Sequence, residues 1–270
     1  MEPRGQELIS RYRRNYHIPT SAEITEDMIL RHWQLERRLA IELLKSTPEN
    51  RWQVFERCYS MLYSELEWLN QFLDVDTKQP PTQLHKEWMD LIGKPPKKVY
   101  EIGSGKGELI SHLASHGFEC KGTEITLERG QKYACARRNL SWGISDGVHL
   151  ERFEEPDSYD AVISDQLIEH LHPDDLTHHF KGVWYILRDG GKYVFRTPHA
   201  YVGPSDISRV LNCDKPIGMH LKEYTFGEVK GLLKQAEKLI SRFPRRIRRR
   251  VTWLFVAILF CPSIFVVAQK

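Results

Sequence analysis

The sequence predicts an α/β protein: a mostly parallel sheet with helices on both faces, preceded by a helical extension. Three observations predict it. After Lys98, short apolar runs alternate with helical stretches. A turn with three glycines in five positions, Gly103, Gly105 and Gly107, joins the first apolar run to the first helical one. Before Lys98, apolar residues recur with helical period.

Taken in order, "TEDMILRHWQLERRLAIELLKS" puts Leu35, Leu39 and Leu43 on one helical face. Thr47 reads as the N-cap of a second helix with Pro48 at its first position. That helix carries Phe55, Leu62, Leu66, Leu69 and Leu73 as one stripe. "DVDTKQPPTQ" then reads as a linker and "GKPPKK" as a second break. Beyond it, "KVYEIG", "ECKGTEI", "YDAVISD" and "GKYVFRTP" read as strands. "GELISHLASHG", "LERGQKYACARRNL" and "DDLTHHFKGVWYIL" read as the helices between them. The expected division is a helical extension or lid over residues 1–90 and a ligand-binding domain over 91–270.

Composition narrows the class. Of 270 residues, 41% are apolar and 28% charged, as a soluble protein with a sizeable core requires. The net charge of +3 is too small to argue for nucleic acid, and no aromatic-interleaved basic patch supports it. The five cysteines lack CxxC spacing, which argues against a zinc or disulfide framework and for a reducing, cytoplasmic setting. The N-terminus has no apolar core of the secretory kind.

The glycine turn lets backbone approach a ligand closely. A dinucleotide fingerprint needs G-x-G-x-x-G, but Glu108 stands where the third glycine belongs. No Lys-Ser or Lys-Thr pair follows as a P-loop requires. Glu101, two residues before Gly103, would repel a pyrophosphate and attract a cation. An adenosyl ligand with an ammonium, a sulfonium and no phosphate fits: S-adenosylmethionine. Glu124 lies about 20 residues after the first glycine, where an acid takes ribose hydroxyls. Asp146 is placed for the adenine amino group, and Gln166 and Leu167 for the methionine part.

Together these residues resemble the class I S-adenosylmethionine-dependent methyltransferases. "EIGSGKG" matches the family's first motif, "GTEIT" its ribose acid and "SDG" its adenine-side acid. "YDAVISDQLIEHL" and "ILRDGGKYVFRTP" match two later motifs. The resemblance implies a seven-stranded Rossmann-like sheet with a reversed final hairpin, "SIFVVAQK" being its last strand.

Methyl transfer needs alignment and a dry site, and a base only for a poorly acidic hydroxyl or an ammonium. His170, in "IEHLHPDD", and His220, in "PIGMHLKEYTF", are the candidate bases. Glu169, His170 and His220 also resemble part of the metal set of ubiquinone-type O-methyltransferases and small-RNA 2′-O-methyltransferases. Gln166 stands where those families carry another carboxylate, so no metal is expected. His112, His116, His149, His172, His178, His179 and His199 have no comparable setting. The long loop from Thr197 to Phe226 offers Tyr201, His199 and Arg209 to an acceptor pocket.

The tail holds six arginines between Arg242 and Arg250, then 18 uncharged residues from Val251 to Ala268. Pro262 interrupts that run, so residues 242–260 read as a basic and apolar insert before the last strand, suited to peripheral contact with an anionic membrane. The expected function is methyl transfer to a small-molecule, lipid or sugar acceptor at oxygen. The alternatives are a metal-dependent RNA 2′-O-methyltransferase and a cofactor-binding scaffold without turnover.

Overall fold

A computed structural model describes residues 3–73, 83–126, 132, 136–240 and 263–270. The chain forms two compact units. The first comprises Met1–Gln79 and Ala200–Glu223, and the second Pro80–His199 and Tyr224–Lys270.

In the first unit, α1 (Gly5–Tyr16) and α2 (Glu26–Leu44) are followed by α3 (Arg51–Glu65) and α4 (Glu67–Leu73). Thr25 caps α2 by accepting the Met28 N–H at 3.2 Å, with Glu26 and Asp27 in the first turn. Leu35, Leu39 and Leu43 are buried as their spacing predicts. Thr47 is not a helix cap. Its N–H donates to Asn50 Oδ1 at 2.9 Å and its carbonyl accepts the Asn50 N–H at 3.1 Å. Residues 47–50 therefore close a turn of their own, and the helix begins at Arg51. The single stripe from Phe55 to Leu73 is divided at Leu66, yet Phe55, Leu62 and Leu69 are buried on both sides of the break. The core of this unit joins Leu8, Tyr12, Ile29, Trp33 and Leu69 to Ile207, Val210 and Leu211 of the distant segment.

The second unit is built on a sheet. Helix α5 (Gln83–Ile92) precedes β1 (Lys98–Ile102), α6 (Glu108–Ser115), β2 (Glu119–Glu124) and β3 (Leu140–Ile144). Then come β4 (Tyr159–Asp165), α7 (Leu176–Ile186), β5 (Leu187–Pro198), α8 (Phe226–Ile240) and β6 (Ser263–Gln269). The strand order is β3-β2-β1-β4-β5-β6. All neighbours are parallel except β6, which runs antiparallel to β5 with Val194 opposite Val267. The sheet has six strands among the described residues rather than seven. The stretch from Val251 to Phe260, the rest of the 242–260 insert and most of "LERGQKYACARRNL" lie outside the described residues.

Alternation along the strands separates two apolar layers. Val99, Ala161, Ile163 and Val194 pack with Trp88 and Ile92 of α5 and Leu109, Ile110 and Leu113 of α6. Tyr100, Ile102, Val162, Tyr193 and Phe195 face the other way, onto Phe180 and Val183 of α7 and Val229 and Leu233 of α8. With both faces covered, four of the five β1 residues are buried. The chain leaves β1 toward β2 on one side, while β4 lies on the other. That reversal of strand order opens a crevice beyond the carboxyl ends of β1 and β4. Among the described residues no helix is long and apolar enough to cross a membrane.

Candidate active site

Parallel registers set the site's geometry. Ile102 pairs with Thr123, Glu124 with Ile144, and Glu101 with both Gly122 and Ile163. The ends of β1, β2, β3 and β4 therefore present Gly103, Glu124, Asp146 and Gln166 at one edge of the sheet.

All three glycines of the turn have left-handed backbones, with φ of 67°, 55° and 79° at Gly103, Gly105 and Gly107. Their surroundings differ. A Cβ on Gly103 would stand 2.8 Å from Leu167 Cδ1, and one on Gly107 would collide with the Trp142 ring. A Cβ on Gly105 would meet nothing within 4 Å. The outer glycines are thus required by packing, and Gly105 lies against open space a ligand can fill. The turn is tied to β2 at several points. Ser104 N–H donates to the Thr123 carbonyl at 2.9 Å, and Thr123 N–H donates to Ser104 Oγ at 3.0 Å. Gly105 N–H donates to Glu124 Oε1 at 2.6 Å.

Glu101 is the most unusual group of the turn. It is 2% exposed, and its Oε2 has no hydrogen-bond partner among the described residues. Burial pushes its pKa well above the usual carboxylate range, and the charges of Asp165 and Glu124 push it the same way. The folded protein therefore holds this proton to higher pH than the unfolded chain does. Stability from this group is present at low pH and falls as pH rises above about 4.5. A bound ammonium would reverse the penalty by supplying the missing charge. A desolvated carboxylate with one unpartnered oxygen beneath an open glycine turn fits S-adenosylmethionine.

The remaining predicted residues fall around this point. Glu124 Oε2 accepts the Ile125 N–H at 3.2 Å. Asp146 Oδ1 accepts the N–H groups of Val148 at 2.8 Å and His149 at 2.7 Å, so part of its role is to close its own turn. Gln166 adopts a left-handed φ of 57° and donates its N–H to the Arg196 carbonyl at 2.9 Å. That bend follows Asp165 and delivers Leu167 to Gly103. His170 lies in the same loop, half-buried, with its N–H on the Leu167 carbonyl at 2.9 Å. Its neighbour Glu169 is fully buried and accepts from Thr197 Oγ1 at 2.9 Å.

His220 belongs to the first unit. It is buried, and its Nδ1 lies 2.7 Å from Glu223 Oε1. Glu223 Oε1 also accepts the Ser205 N–H at 2.7 Å. The carboxylate holds the imidazole with Nδ1–H donating and the lone pair on Nε2, the tautomer a general base needs.

Sequence reasoning missed four contributors. Trp142 fills the space that Gly107 and Gly122 leave open, and the mid-strand glycine of β2 was the one local signal for it. Asp165 takes Arg196 in a two-point grip at 2.5 and 2.7 Å and still adds to the field on Glu101. His85 of α5 is half-buried; burial lowers its pKa, and the charges of Glu108 and Asp165 oppose that shift. His179 is fully buried between the Gly147 carbonyl, 2.5 Å from Nδ1, and Tyr193 Oη, 2.8 Å from Nε2. Tyr193 Oη in turn meets Ser164 Oγ at 2.7 Å. Burial lowers the His179 pKa to about 4, so the ring is neutral. Its Nδ1–H donates to the Gly147 carbonyl, and the chain ties the turn after β3 to the end of β4.

The comparisons bear on the family and the fold. The model of a family described as a methyltransferase domain matches residues 78–246, more than half of the chain. No curated protein sequence matches. A 1,6-didemethyltoxoflavin-N1-methyltransferase from Burkholderia thailandensis, solved with 1,6-didemethyltoxoflavin and S-adenosylhomocysteine, is 14% identical. The match covers 83% of this chain and 91% of that one, with a TM-score of 0.56. A TehB-like S-adenosylmethionine-dependent methyltransferase from Corynebacterium glutamicum is 11% identical over 80% of this chain and 97% of that one, with a TM-score of 0.50. At these identities the likeness is one of fold. With 1006 solved chains matching, the fold alone does not choose an acceptor.

Proposed function

The chain belongs to the methyltransferase-domain family of S-adenosylmethionine-dependent enzymes, and we propose that it methylates an oxygen of a small-molecule, lipid or sugar acceptor. The protein is a methyltransferase with S-adenosylmethionine as its donor. When bound, the donor supplies a methyl group on a sulfonium, already activated for displacement.

The chain's own residues do the rest. Glu101 offers its partnerless Oε2 to the ammonium. Glu124 holds Gly105 with one lone pair of Oε1 and keeps others for ribose hydroxyls. Asp146 Oδ2 is the acceptor for the adenine amino group. Leu167 and Gln166, fixed against the glycine turn, line the methionine side. His220 takes the acceptor's proton on Nε2, and Glu223 stabilises the imidazolium that forms. His170 is the second candidate base, carried by the loop after β4.

One observation carries the preference for oxygen: the 2.7 Å pair of His220 with a buried carboxylate. An acceptor that attacks without losing a proton first has no use for such a pair; an ammonium or a hydroxyl does, and a hydroxyl, the less acidic of the two, depends on it most. The test incubates the protein and labelled donor with metabolite, lipid and glycan fractions, and locates the methyl group in each product. We expect an ether methyl, and a His220→Ala variant that loses about 10²-fold or more in kcat with unchanged donor affinity. A methyl group on nitrogen, or full kcat without His220, overturns this reading.

A further inference from the structure

We propose that the helical unit carries a binding site for a phosphate monoester, separate from the residues assigned to methyl transfer. A cavity of about 390 Å³ is lined by Arg11, Arg14, Asn15, His17, Arg209 and Val210. All six belong to the first unit.

One lining arginine, Arg11, is fixed by hydrogen bonds, and its neighbour Arg13, outside the lining, is fixed in the same way. Arg11 donates Nε to the Val210 carbonyl at 2.9 Å and Nη2 to the Arg209 carbonyl at 2.8 Å, and it also reaches Asn212 Oδ1. Arg13 donates to the carbonyls of Pro19 and Ala22. These partners are neutral, so the hydrogen bonds fix the side chains without cancelling their charge. The carboxylate that pairs with Arg11 is Glu7, at 4.0 Å and largely exposed.

Two more arginines are left over. Arg14 and Arg209 are exposed and, among the described residues, make no side-chain hydrogen bond or ion pair. His17 stands beside them in a left-handed backbone with φ of 52°. The macrodipole of α1 accounts for basic residues in its last turn. It does not account for Arg209, which arrives from a short helical turn at Ile207–Arg209. A concave site rimmed by guanidinium, imidazole and amide donors, with no carboxylate in its lining, suits a compact dianion with several oxygens. The volume holds a phosphate and the first atoms of its ester.

The shared chemistry is a phosphate monoester, and its source is a soluble metabolite or a lipid headgroup. The test uses the full chain at low salt. Calorimetry with inorganic phosphate and glycerol 3-phosphate is run on the wild type, on the Arg14→Ala, Arg209→Ala double variant, and on a Lys181→Ala, Lys230→Ala control from the other unit. The His17 imidazole resonances are followed during the same titrations. Sedimentation with phosphatidylcholine vesicles, with and without phosphatidic acid, forms the second arm. We expect saturable binding that shifts His17 and weakens at least about tenfold in the arginine variant alone. Binding in the soluble arm only identifies a metabolite; arginine-dependent sedimentation with phosphatidic acid identifies a lipid. No saturable binding in either arm, or equal loss in the arginine and lysine variants, overturns the proposal. Among the described residues neither replaced arginine side chain has a partner, so the arginine variant should keep the wild-type melting temperature.

Discussion

Two buried glutamates, one in each unit, contrast a carboxylate with partners on both oxygens and one with an oxygen that has none among the described residues. In the helical unit, Glu36 Oε1 takes His32 Nε2 at 2.7 Å, and Oε2 takes the Met219 N–H at 3.1 Å. His32 Nδ1 is itself 2.7 Å from Tyr12 Oη. Beside them, Asp206 accepts the N–H groups of Ser208 and Gly218 at 2.9 Å each. Burial raises the Asp206 pKa, and the charge of His220 opposes that shift. The whole chain of groups clamps the segment that carries His220 to α2. In the sheet unit, Glu101 is as deeply buried, yet one oxygen has no partner among the described residues. A satisfied buried carboxylate holds the fold together. An unsatisfied one costs the fold free energy, a cost that a ligand's charge can offset.

The contrast can be broken by changing either side. The largest expected effect is in the helical unit. Glu36→Ala strands His32 and the Met219 N–H, and should lower unfolding free energy by about 3–5 kcal/mol in urea melts. Per folded molecule, affinity for S-adenosylmethionine should stay near wild type. A comparable loss of donor affinity would merge two roles that the account keeps apart.

Next comes the pH dependence of the sheet unit. His179 is neutral when folded, with a pKa near 4 against an ordinary 6.5. Its contribution is intact above pH 6.5 and is lost as pH falls toward 4, about 3 kcal/mol in all. Stability measured across that window should therefore climb with pH, and His179→Gln should flatten the climb. An unchanged slope in the variant would assign it to other groups.

A smaller effect separates two glycines of one turn. Gly107→Ala drives a methyl group into Trp142 and should cost about 1–3 kcal/mol of stability beyond its backbone strain. Gly105→Ala has room and should cost only about 1 kcal/mol, while weakening donor binding. Equal melting temperatures for the two variants would contradict the assignment of one to packing and the other to the ligand.

The two regions also differed in how far the sequence disclosed them. The glycine turn, Glu101, Glu124, Asp146 and the β1, β2 and β4 strands are read from residues close together in the chain. Parallel pairing then places them by a fixed register. The helical clamp joins Glu36 to Met219, 183 residues apart, and no local pattern carries that contact. Thr47 has the residue type of a cap, but Asn50, three positions on, bonds its N–H and carbonyl into a separate turn, and the helix starts only at Arg51. Asp165 stood in a recognised motif but was passed over, since its bond to Arg196 depends on β4 and β5 lying side by side. His179 was set aside because only the fold reveals the tyrosine and carbonyl at its two ends.

The measurement closest to the heart of the account is a calorimetric titration of S-adenosylmethionine into the wild type and Glu101→Gln. The amide keeps the shape and removes the charge. The account predicts at least about tenfold weaker binding in the variant, together with an apo melting temperature at neutral pH equal to or above that of the wild type. Undiminished affinity in Glu101→Gln would contradict it, because the buried carboxylate would then be holding nothing.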